Sequence, residues 1–348
     1  MLQIRVVAIS LVCAGACTPT LSQPRGDAHL EAMAHGTRAY HHGRFDEARA
    51  AYANAAEHAE RRVDRDEALY REAKTLQRLG RDAEALPLLD QLAVEEPPSR
   101  RTGRSLYDAG RIRLRMHDDA NALRNFQAVV LRFPDHGISS RALVRVLEMM
   151  PDGPVRDAWL NEALSRVGTH DIGDDILSTQ ATLALEHGDR ARARALWERI
   201  VEEHPYPVGQ RWDDALWRLA DLDELEGNPA AAAQHLERML SLLETTTTPG
   251  SYTLPRFPAA MLRLGILFRD SLHDRARAIA TFERLRSELR FSTLRDDALL
   301  EIAVTALQDG DVPRACEALS GVLGEFEVGR ARRRAAELQT QSCPDVAH

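Results

Sequence analysis

The feature that most constrains this chain is a short phrase that recurs along most of its length. It reads HHGRFDEARAAYANA from residue 41, RLGRDAEALPLLDQL from 78 and RMHDDANALRNFQAV from 115. It returns as EHGDRARARALWERI from 186, LEGNPAAAAQHLERM from 225 and QDGDVPRACEALSGV from 308. A repeated unit of this size buries its apolar surface by stacking on its neighbours, so the chain is expected to fold as one array and not as separate globular domains.

One anchoring alanine in the second helix of each unit fixes the period of the repeat. The alanines are Ala48, Ala85, Ala122, Ala158, Ala193, Ala232, Ala278 and Ala315, with intervals of 37, 37, 36, 35, 39, 46 and 37 residues. Ala158 is assigned because residues 122 to 193 span about two periods, although the fourth unit departs from the phrase. The longest interval contains a Thr- and Pro-rich stretch at residues 244–258. The spacing predicts about eight units between residues 28 and 328.

Within a unit the pattern is that of two helices joined by a tight turn. The first helix carries a small residue that allows close approach, as at Gly36, Ala73, Gly110, Ala181 and Ala220. The turn carries a residue suited to positive φ, namely Gly43, Gly80, His117, Gly188, Gly227 or Gly310. In most copies larger apolar residues follow the alanine at +4 and +7, which gives the second helix one apolar face.

This order of Gly, Ala and aromatic positions, with Pro97, Pro134 and Pro205 closing units, resembles the tetratricopeptide repeat. The resemblance covers about residues 30–327. It implies an all-α, right-handed α-solenoid of about eight helix-turn-helix repeats with a concave groove, closed by a capping helix at residues 329–341 and followed by a tail at 342–348. The unit length, and segments 126–143 and 197–228, resemble the periplasmic repeat lipoproteins that include BamD and the Tol-Pal coordinator.

The resemblance also implies which residues line the groove, because defined first-helix positions of the repeat face it. These positions hold Tyr70, Lys74, Arg104, Tyr107 and Arg111 in the N-terminal half, and Asp214, Trp217, Asp221 and Glu224 further along. One surface would be basic and aromatic and the other acidic and aromatic. Aromatic and Arg side chains dominate binding energy in many interfaces. The alternative is that Trp217 and the tyrosines belong to the core between repeats.

The N-terminus has the layout of an export signal. Arg5 precedes an apolar run at residues 6–16, which is too short to span a bilayer. The run ends in Ala14-Gly15-Ala16-Cys17, which resembles the bacterial lipoprotein box, although Ala14 stands where that family usually has Leu. The resemblance implies a signal peptide at 1–16, lipidation of Cys17, a tether at 17–27 and, from Thr18, sorting to the outer membrane. An ordinary secretory leader with an incidental cysteine is the alternative.

Two further cysteines remain once Cys13 and Cys17 are assigned to the leader and the lipid. In an exported protein Cys316 and Cys343 are candidates for a disulfide. Cys316 falls near the start of the last repeat helix and Cys343 just after the capping helix, which places both at one end of an antiparallel pair. Such a bridge would contribute about 3 kcal/mol to stability.

Composition and motifs argue against several functional classes. The net charge is −8 and the pI about 5.9, so a general nucleic-acid-binding surface is not expected. Forty-four arginines accompany a single lysine, Lys74, which is typical of a GC-rich genome. The chain has no HExxH, GxSxG, P-loop or Rossmann motif. No catalytic residue, metal, cofactor or small-molecule substrate is therefore predicted.

The leading hypothesis is a non-enzymatic, membrane-anchored scaffold that binds a protein or peptide partner in cell-envelope assembly, transport or secretion. A free periplasmic carrier or chaperone is an alternative, and it differs by lacking the lipid. A helical module of a peptidoglycan-active enzyme is another. That enzyme would need a catalytic domain, for which the twenty residues after the repeats leave no room.

Overall fold

The structure, a computed structural model, describes residues 25–242 and 256–343. These residues form seventeen α-helices and no β-strand. The helices are α1 (Asp27–His41), α2 (Phe45–Glu57), α3 (Arg62–Arg78), α4 (Asp82–Ala93), α5 (Thr102–Arg115), α6 (Asp119–Arg132), α7 (Ser139–Met149), α8 (Pro154–Val167), α9 (Ile172–Glu186), α10 (Arg190–Glu203), α11 (Trp212–Leu225), α12 (Pro229–Leu240), α13 (Phe257–Asp270), α14 (Arg275–Glu288), α15 (Arg295–Gln308), α16 (Val312–Glu325) and α17 (Arg330–Ser342).

The first sixteen helices form eight consecutive pairs in the described ranges, and α17 follows them as a single helix. This confirms the predicted all-α helix-turn-helix repeat fold. The chain divides within α6 into two compact units, residues 1–125 and 126–348. In each unit, most helices that are adjacent in sequence pack together, for example α2 on α3 and α14 on α15. The extensive apolar core of the second unit runs from Leu177 to Cys343.

The turns inside the pairs adopt the predicted backbone conformation. The φ angle is 73° at Gly43, 60° at His117 and 79° at Gly188, in the left-handed region that glycine enters at little cost. Gly80, Gly227 and Gly310 behave in the same way. The seventh pair uses His273, with φ 54°, at a turn for which the sequence pattern gave no residue.

Small residues allow the paired helices to approach closely. Seven of the eight anchoring alanines, namely Ala48, Ala85, Ala122, Ala193, Ala232, Ala278 and Ala315, have no solvent exposure. A Cβ atom added to Gly36 would lie 2.8 Å from the ring of Tyr52. Gly265, the equivalent residue of α13, is covered by Phe282, whose ring would be 2.3 Å from an added Cβ. The aromatic ring at +4 therefore packs directly on the small residue of the first helix.

The fourth pair corrects the predicted register. Ala158 is exposed, so it is not an anchoring alanine. The buried face of α8 is formed by Leu160, Ala163 and Val167, which places Arg156 at the anchoring position, with Leu160 at +4 and Ala163 at +7. The interval from Ala122 is then 34 residues. The alanine-to-alanine alignment was wrong here because α8 begins at Gly153-Pro154, which fixes its register irrespective of where an alanine occurs.

The helix α17 closes the second unit as predicted from its small apolar face. Ala331 and Ala335 are buried, and the Arg332 guanidinium donates to the carbonyl oxygens of Leu323 and Phe326 at the end of α16. Cys316 and Cys343 form a disulfide with a Cα–Cα distance of 5.8 Å, which joins the start of α16 to the residue after α17. The closing helix is thus held by packing, hydrogen bonds and a covalent bond.

The predicted signal peptide, Cys17 and most of the tether lie outside the described residues, as does most of the Thr- and Pro-rich stretch. Within the described ranges, none of the helices combines the length and the apolar character needed to cross a bilayer. The anchor therefore stays a prediction of the sequence.

Candidate partner-binding faces

The predicted groove residues of the first unit converge on a carboxylate that sequence analysis did not single out. The Tyr70 hydroxyl on α3 donates to Asp108 Oδ2 on α5 at 2.8 Å, and Lys74 Nζ lies 3.2 Å from the same oxygen. Arg111 Nη1 is 3.9 Å from Oδ1. Asp108 is 4% exposed. A buried carboxylate needs such partners, and here three predicted groove residues supply them.

A second ion pair extends this face of α3 and α5. Arg101 binds Glu67 through two hydrogen bonds of 2.5 and 2.7 Å, and its guanidinium lies 4.6 Å from the centre of the Tyr70 ring. Tyr107 is 9% exposed, whereas Arg104 is exposed. The tyrosines of the first unit are therefore largely covered, and its arginines form the accessible surface.

Burial and Asp108 together change the acid–base behaviour of Tyr70. Desolvation, then the charge of Asp108 and the hydrogen bond to it, raise the pKa of the Tyr70 hydroxyl well above its ordinary value of 10.0. The phenol therefore stays protonated and acts as a hydrogen-bond donor. In this position it helps to hold Asp108 in place.

Two arginines, one on α13 and one just before it, largely neutralise the predicted acidic surface of α11. Arg263 Nη1 lies 2.8 Å from Asp221 Oδ1, and its Nε donates to Glu224 Oε1 at 2.7 Å. Arg256 pairs with Asp214. The three carboxylates are thus bound by arginines about one repeat further along the chain. A free acidic surface, as the sequence suggested, is not what this face presents.

Trp217 lies between the same two arginines. The guanidinium carbons of Arg263 and Arg256 lie 4.6 and 5.5 Å from the ring centre, within cation–π range. The indole is half-buried and also packs against the apolar core. Both interpretations of this residue therefore hold in part: one side of the ring belongs to the core, and the rest belongs to an Arg-Trp-Arg surface.

A cleft of about 390 Å³ lies between α7 and α9 in the second unit. Its apolar lining comes from Leu143, Val144, Leu147 and Leu183, and Val144 is 52% exposed. The opposite wall carries hydroxyl groups. Thr179 and Thr182 donate their protons to the carbonyl oxygens of Asp175 and Ser178 at 2.8 and 2.9 Å, which leaves their oxygens as acceptors.

Two arginines stand at the rim of the cleft, and only one is already paired. Arg211 Nε donates to Asp175 Oδ1 at 2.6 Å. Arg141 is exposed and has no ion pair among residues 25–242 and 256–343. The cleft thus combines apolar contact area, hydroxyl acceptors and one uncommitted guanidinium, which suits an extended segment of protein chain that carries an acidic group.

The α7–α9 cleft escaped sequence analysis although the signal was present. Arg141, Val144, Asp175, Ser178 and Thr182 occupy the same first-helix positions as the predicted residues of α3, α5 and α11. On α9 the small residue Ala181 identifies these positions, whereas α7 lacks the small residue on which the rule depends. Leu147 stands where other first helices have Gly or Ala, and Arg156 stands where other second helices have Ala. In the described part of the chain, no group of three or more His, Cys, Asp or Glu residues could hold a metal ion.

Models of the tetratricopeptide repeat match residues 33–100 and 178–251, and another model of this repeat matches residues 259–288. The chain contains tetratricopeptide repeats. The longest gap between the matches, residues 101–177, includes the fourth pair, in which both small residues are replaced. Tetratricopeptide repeats commonly act as protein-interaction scaffolds and are typically non-enzymatic.

Several solved structures are similar to this chain at low sequence identity. The C-terminal part of a TPR repeat-containing protein from Cytophaga hutchinsonii is 13% identical, with 88% of this chain and 98% of that chain covered and a TM-score of 0.40. PilW, a type IV pilus biogenesis factor, is 14% identical, with 78% and 98% covered and a TM-score of 0.36. A tetratricopeptide repeat protein from Parabacteroides merdae is 13% identical, with 91% and 99% covered and a TM-score of 0.30.

None of the curated protein sequences matches the chain significantly. The narrower resemblance to the BamD and Tol-Pal coordinator group stays a prediction of the sequence, as does the lipoprotein assignment.

Proposed function

We propose that this chain is a non-enzymatic scaffold, held at the periplasmic side of the outer membrane by a lipid on Cys17. It binds a protein partner through first-helix residues of its second unit and serves cell-envelope assembly, transport or secretion. The observation that carries the binding proposal is the α7–α9 cleft. The anchoring proposal rests on the sequence of residues 1–18.

The chemistry of the cleft supports a peptide segment as the bound group. A strand of partner chain can place apolar side chains against Val144 and Leu147, and donate backbone N–H groups to the Thr179 and Thr182 oxygens. An acidic side chain of the same segment would meet Arg141. Fully burying one apolar side chain contributes about 1.5–3 kcal/mol, so a few such contacts would give a specific though reversible complex.

Trp217 provides a second candidate contact in the same unit. Its ring is already held by two arginines, so little side-chain entropy is lost when a partner packs against its open part. Tyr70 and Tyr107 of the first unit are weaker candidates, because both are covered in the folded chain.

Site-specific photo-crosslinking tests the binding proposal. A photo-reactive phenylalanine at Val144 is expected to capture a discrete partner in living cells. Arg141→Glu in the same chain is expected to reduce that adduct severalfold. The matched control is the same amino acid at Val155, an exposed valine on α8. Identical adducts from both positions, or an adduct indifferent to Arg141→Glu, would show that the cleft is not the binding site.

Replacement of the predicted lipidated cysteine tests the anchor separately. Cys17→Ser is expected to abolish incorporation of radiolabelled palmitate and to move the mature chain from the membrane fraction to the soluble periplasmic fraction. A mature Cys17→Ser chain that still fractionates with the membrane would contradict lipid anchoring through this residue, while leaving the binding proposal intact.

A further inference from the structure

Two chain connections in the second unit expose large apolar side chains to solvent. Phe291, between α14 and α15, is 64% exposed, and Val328, between α16 and α17, is 83% exposed. Exposing an isolated aliphatic residue is ordinary. A Phe and a Val at the tips of neighbouring connections require a different explanation if they share one surface.

Ion pairs show that these two connections lie side by side. Arg286 Nη2, at the end of α14, lies 2.9 Å from Glu325 Oε1, at the end of α16. Arg295, which begins α15, lies 3.9 Å from the other oxygen of Glu325, and its guanidinium carbon is 5.9 Å from the Phe326 ring. A Cβ atom on Gly329 would be 3.1 Å from Asp296 Oδ2. The two connections therefore form one edge, here called the C-terminal edge.

Exposed arginines surround the apolar pair. The side chains of Arg290, Arg330 and Arg333 are exposed and make no ion pair within the described ranges. Glu288 and Arg284 form an ion pair and their charges cancel. The other charged residues of the edge include more arginines than carboxylates. The arginines are Arg286, Arg290, Arg295, Arg330, Arg332 and Arg333, and the carboxylates are Asp296, Asp297, Glu325 and Glu327. This excess of positive charge stands out in a chain with a net charge of −8.

We infer that the C-terminal edge is a peripheral membrane contact, in which Phe291 and Val328 enter the headgroup region of a bilayer while the surrounding arginines bind anionic phospholipid. An apolar tip framed by cations is the combination that favours an anionic lipid surface, because burial of apolar area and electrostatic attraction then act together. A protein partner of matching acidic charge would use the arginines but would also need a concave surface to receive both tips.

The inference is independent of the proposed lipid on Cys17. It concerns a different end of the chain and the second unit alone. The disulfide between Cys316 and Cys343 and the Arg332 hydrogen bonds to the end of α16 hold α17 against α16, at the two ends of this helix pair.

Vesicle sedimentation tests this contact. The chain is secreted behind a cleavable leader that replaces residues 1–17, so that neither the apolar run nor a lipid contributes. It is mixed with vesicles of one part phosphatidylglycerol to three parts phosphatidylcholine, or of phosphatidylcholine alone. The partition coefficient onto the anionic vesicles is expected to fall about a hundredfold in the triple variant R290Q/R330Q/R333Q. It is expected to fall about tenfold in F291S/V328S.

Matched variants serve as controls. Leu225, which is 62% exposed at the end of α11, is replaced in L225S. Three other exposed arginines, two on α10 and one on α12, are replaced in R190Q/R192Q/R238Q. Both controls are expected to change the partition coefficient less than threefold. The inference is overturned if the unsubstituted chain prefers neither vesicle, or if the controls lose as much as the edge variants. It is also overturned if only the arginine substitutions lower the partition coefficient, because that result would indicate that the arginines attract any polyanion.

Discussion

The face formed by α3 and α5 in the first unit and the cleft between α7 and α9 in the second are built from the same first-helix positions of the repeat. In the first unit these positions hold Tyr70 and Lys74, both committed to Asp108. In the second they hold Arg141 and Val144, which are exposed. The tyrosines and the lysine of the first face are thus taken up by internal contacts, whereas Arg141 and Val144 of the cleft are open to solvent.

The comparison shows that the position of a residue in the repeat does not by itself decide whether its side chain is accessible. A side chain at a groove position is available to a protein partner only if no side chain of the next repeat already pairs with it. Tyr70 is already paired with Asp108, and Asp221 is already paired with Arg263. We therefore expect substitutions in the first face to reduce stability, and substitutions in the α7–α9 cleft to reduce binding with little effect on stability.

The largest effect is expected for Asp108→Ala. This substitution removes the acceptor of the buried Tyr70 hydroxyl and the counter-ion of Lys74, so the free energy of unfolding should fall by about 3 kcal/mol. Chemical denaturation followed by circular dichroism measures it. Asp108→Asn, which keeps a hydrogen-bond acceptor, should lose less. A change below 0.5 kcal/mol in Asp108→Ala would show that the first face is not held by this carboxylate.

An intermediate effect is expected for Trp217→Ala, which removes a half-buried ring stacked by two arginines. The free energy of unfolding should fall by about 2 kcal/mol, and Trp217→Phe should recover part of it by keeping an aromatic face. If Trp217→Ala unfolds like the unsubstituted chain but no longer binds the partner, the residue belongs with the open cleft and not with the core.

A smaller effect is expected from the ionisation of Tyr70. Because its pKa in the folded chain is raised above that of the unfolded chain, the hydroxyl contributes fully below about pH 10, and this contribution is lost as the pH rises above that value. Between pH 9 and 11 the unsubstituted chain should therefore lose more stability than Tyr70→Phe. Parallel loss in both chains would mean that Tyr70 ionises as freely when folded as when unfolded.

The smallest effect on stability is expected for Val144→Ser. The side chain is half-exposed, so the free energy of unfolding should change by less than about 0.5 kcal/mol. Partner binding, measured by the yield of a crosslink from a probe at the neighbouring Leu147, should fall about tenfold. A large loss of stability without loss of binding would place Val144 in the core and reverse the comparison.

Much of the fold could be predicted because it depends on periodic local chemistry. The alanine positions, the +4 aromatic residues and the positive-φ turns at Gly43 and Gly188 follow from helix spacing and backbone sterics, which act within one unit. The fourth pair could not be aligned in this way, since Arg156 and Leu147 have replaced the two small residues that identify the other pairs. Its register depends on which face of α8 packs inward.

The sequence predicted which residues occupy the groove positions of the first helices, but not which of their side chains are paired within the chain. The pattern correctly placed Tyr70, Lys74 and Trp217 on first helices, but Asp108, Arg256 and Arg263, their partners, lie 34 to 46 residues away along the chain. Whether a charged side chain is satisfied depends on that distant residue and on the rotamers that both adopt. The same dependence hid Arg141, whose significance is that no described carboxylate reaches it.

The sequence by itself determined that the chain would form helix pairs of about 37 residues with small residues at their closest contacts, because sterics and apolar periodicity are encoded locally. Only the tertiary structure decided which groove positions are closed by internal ion pairs, where the fourth pair leaves a cleft and that the connections at Phe291 and Val328 share one edge. These features depend on distances between repeats, and packing sets those distances.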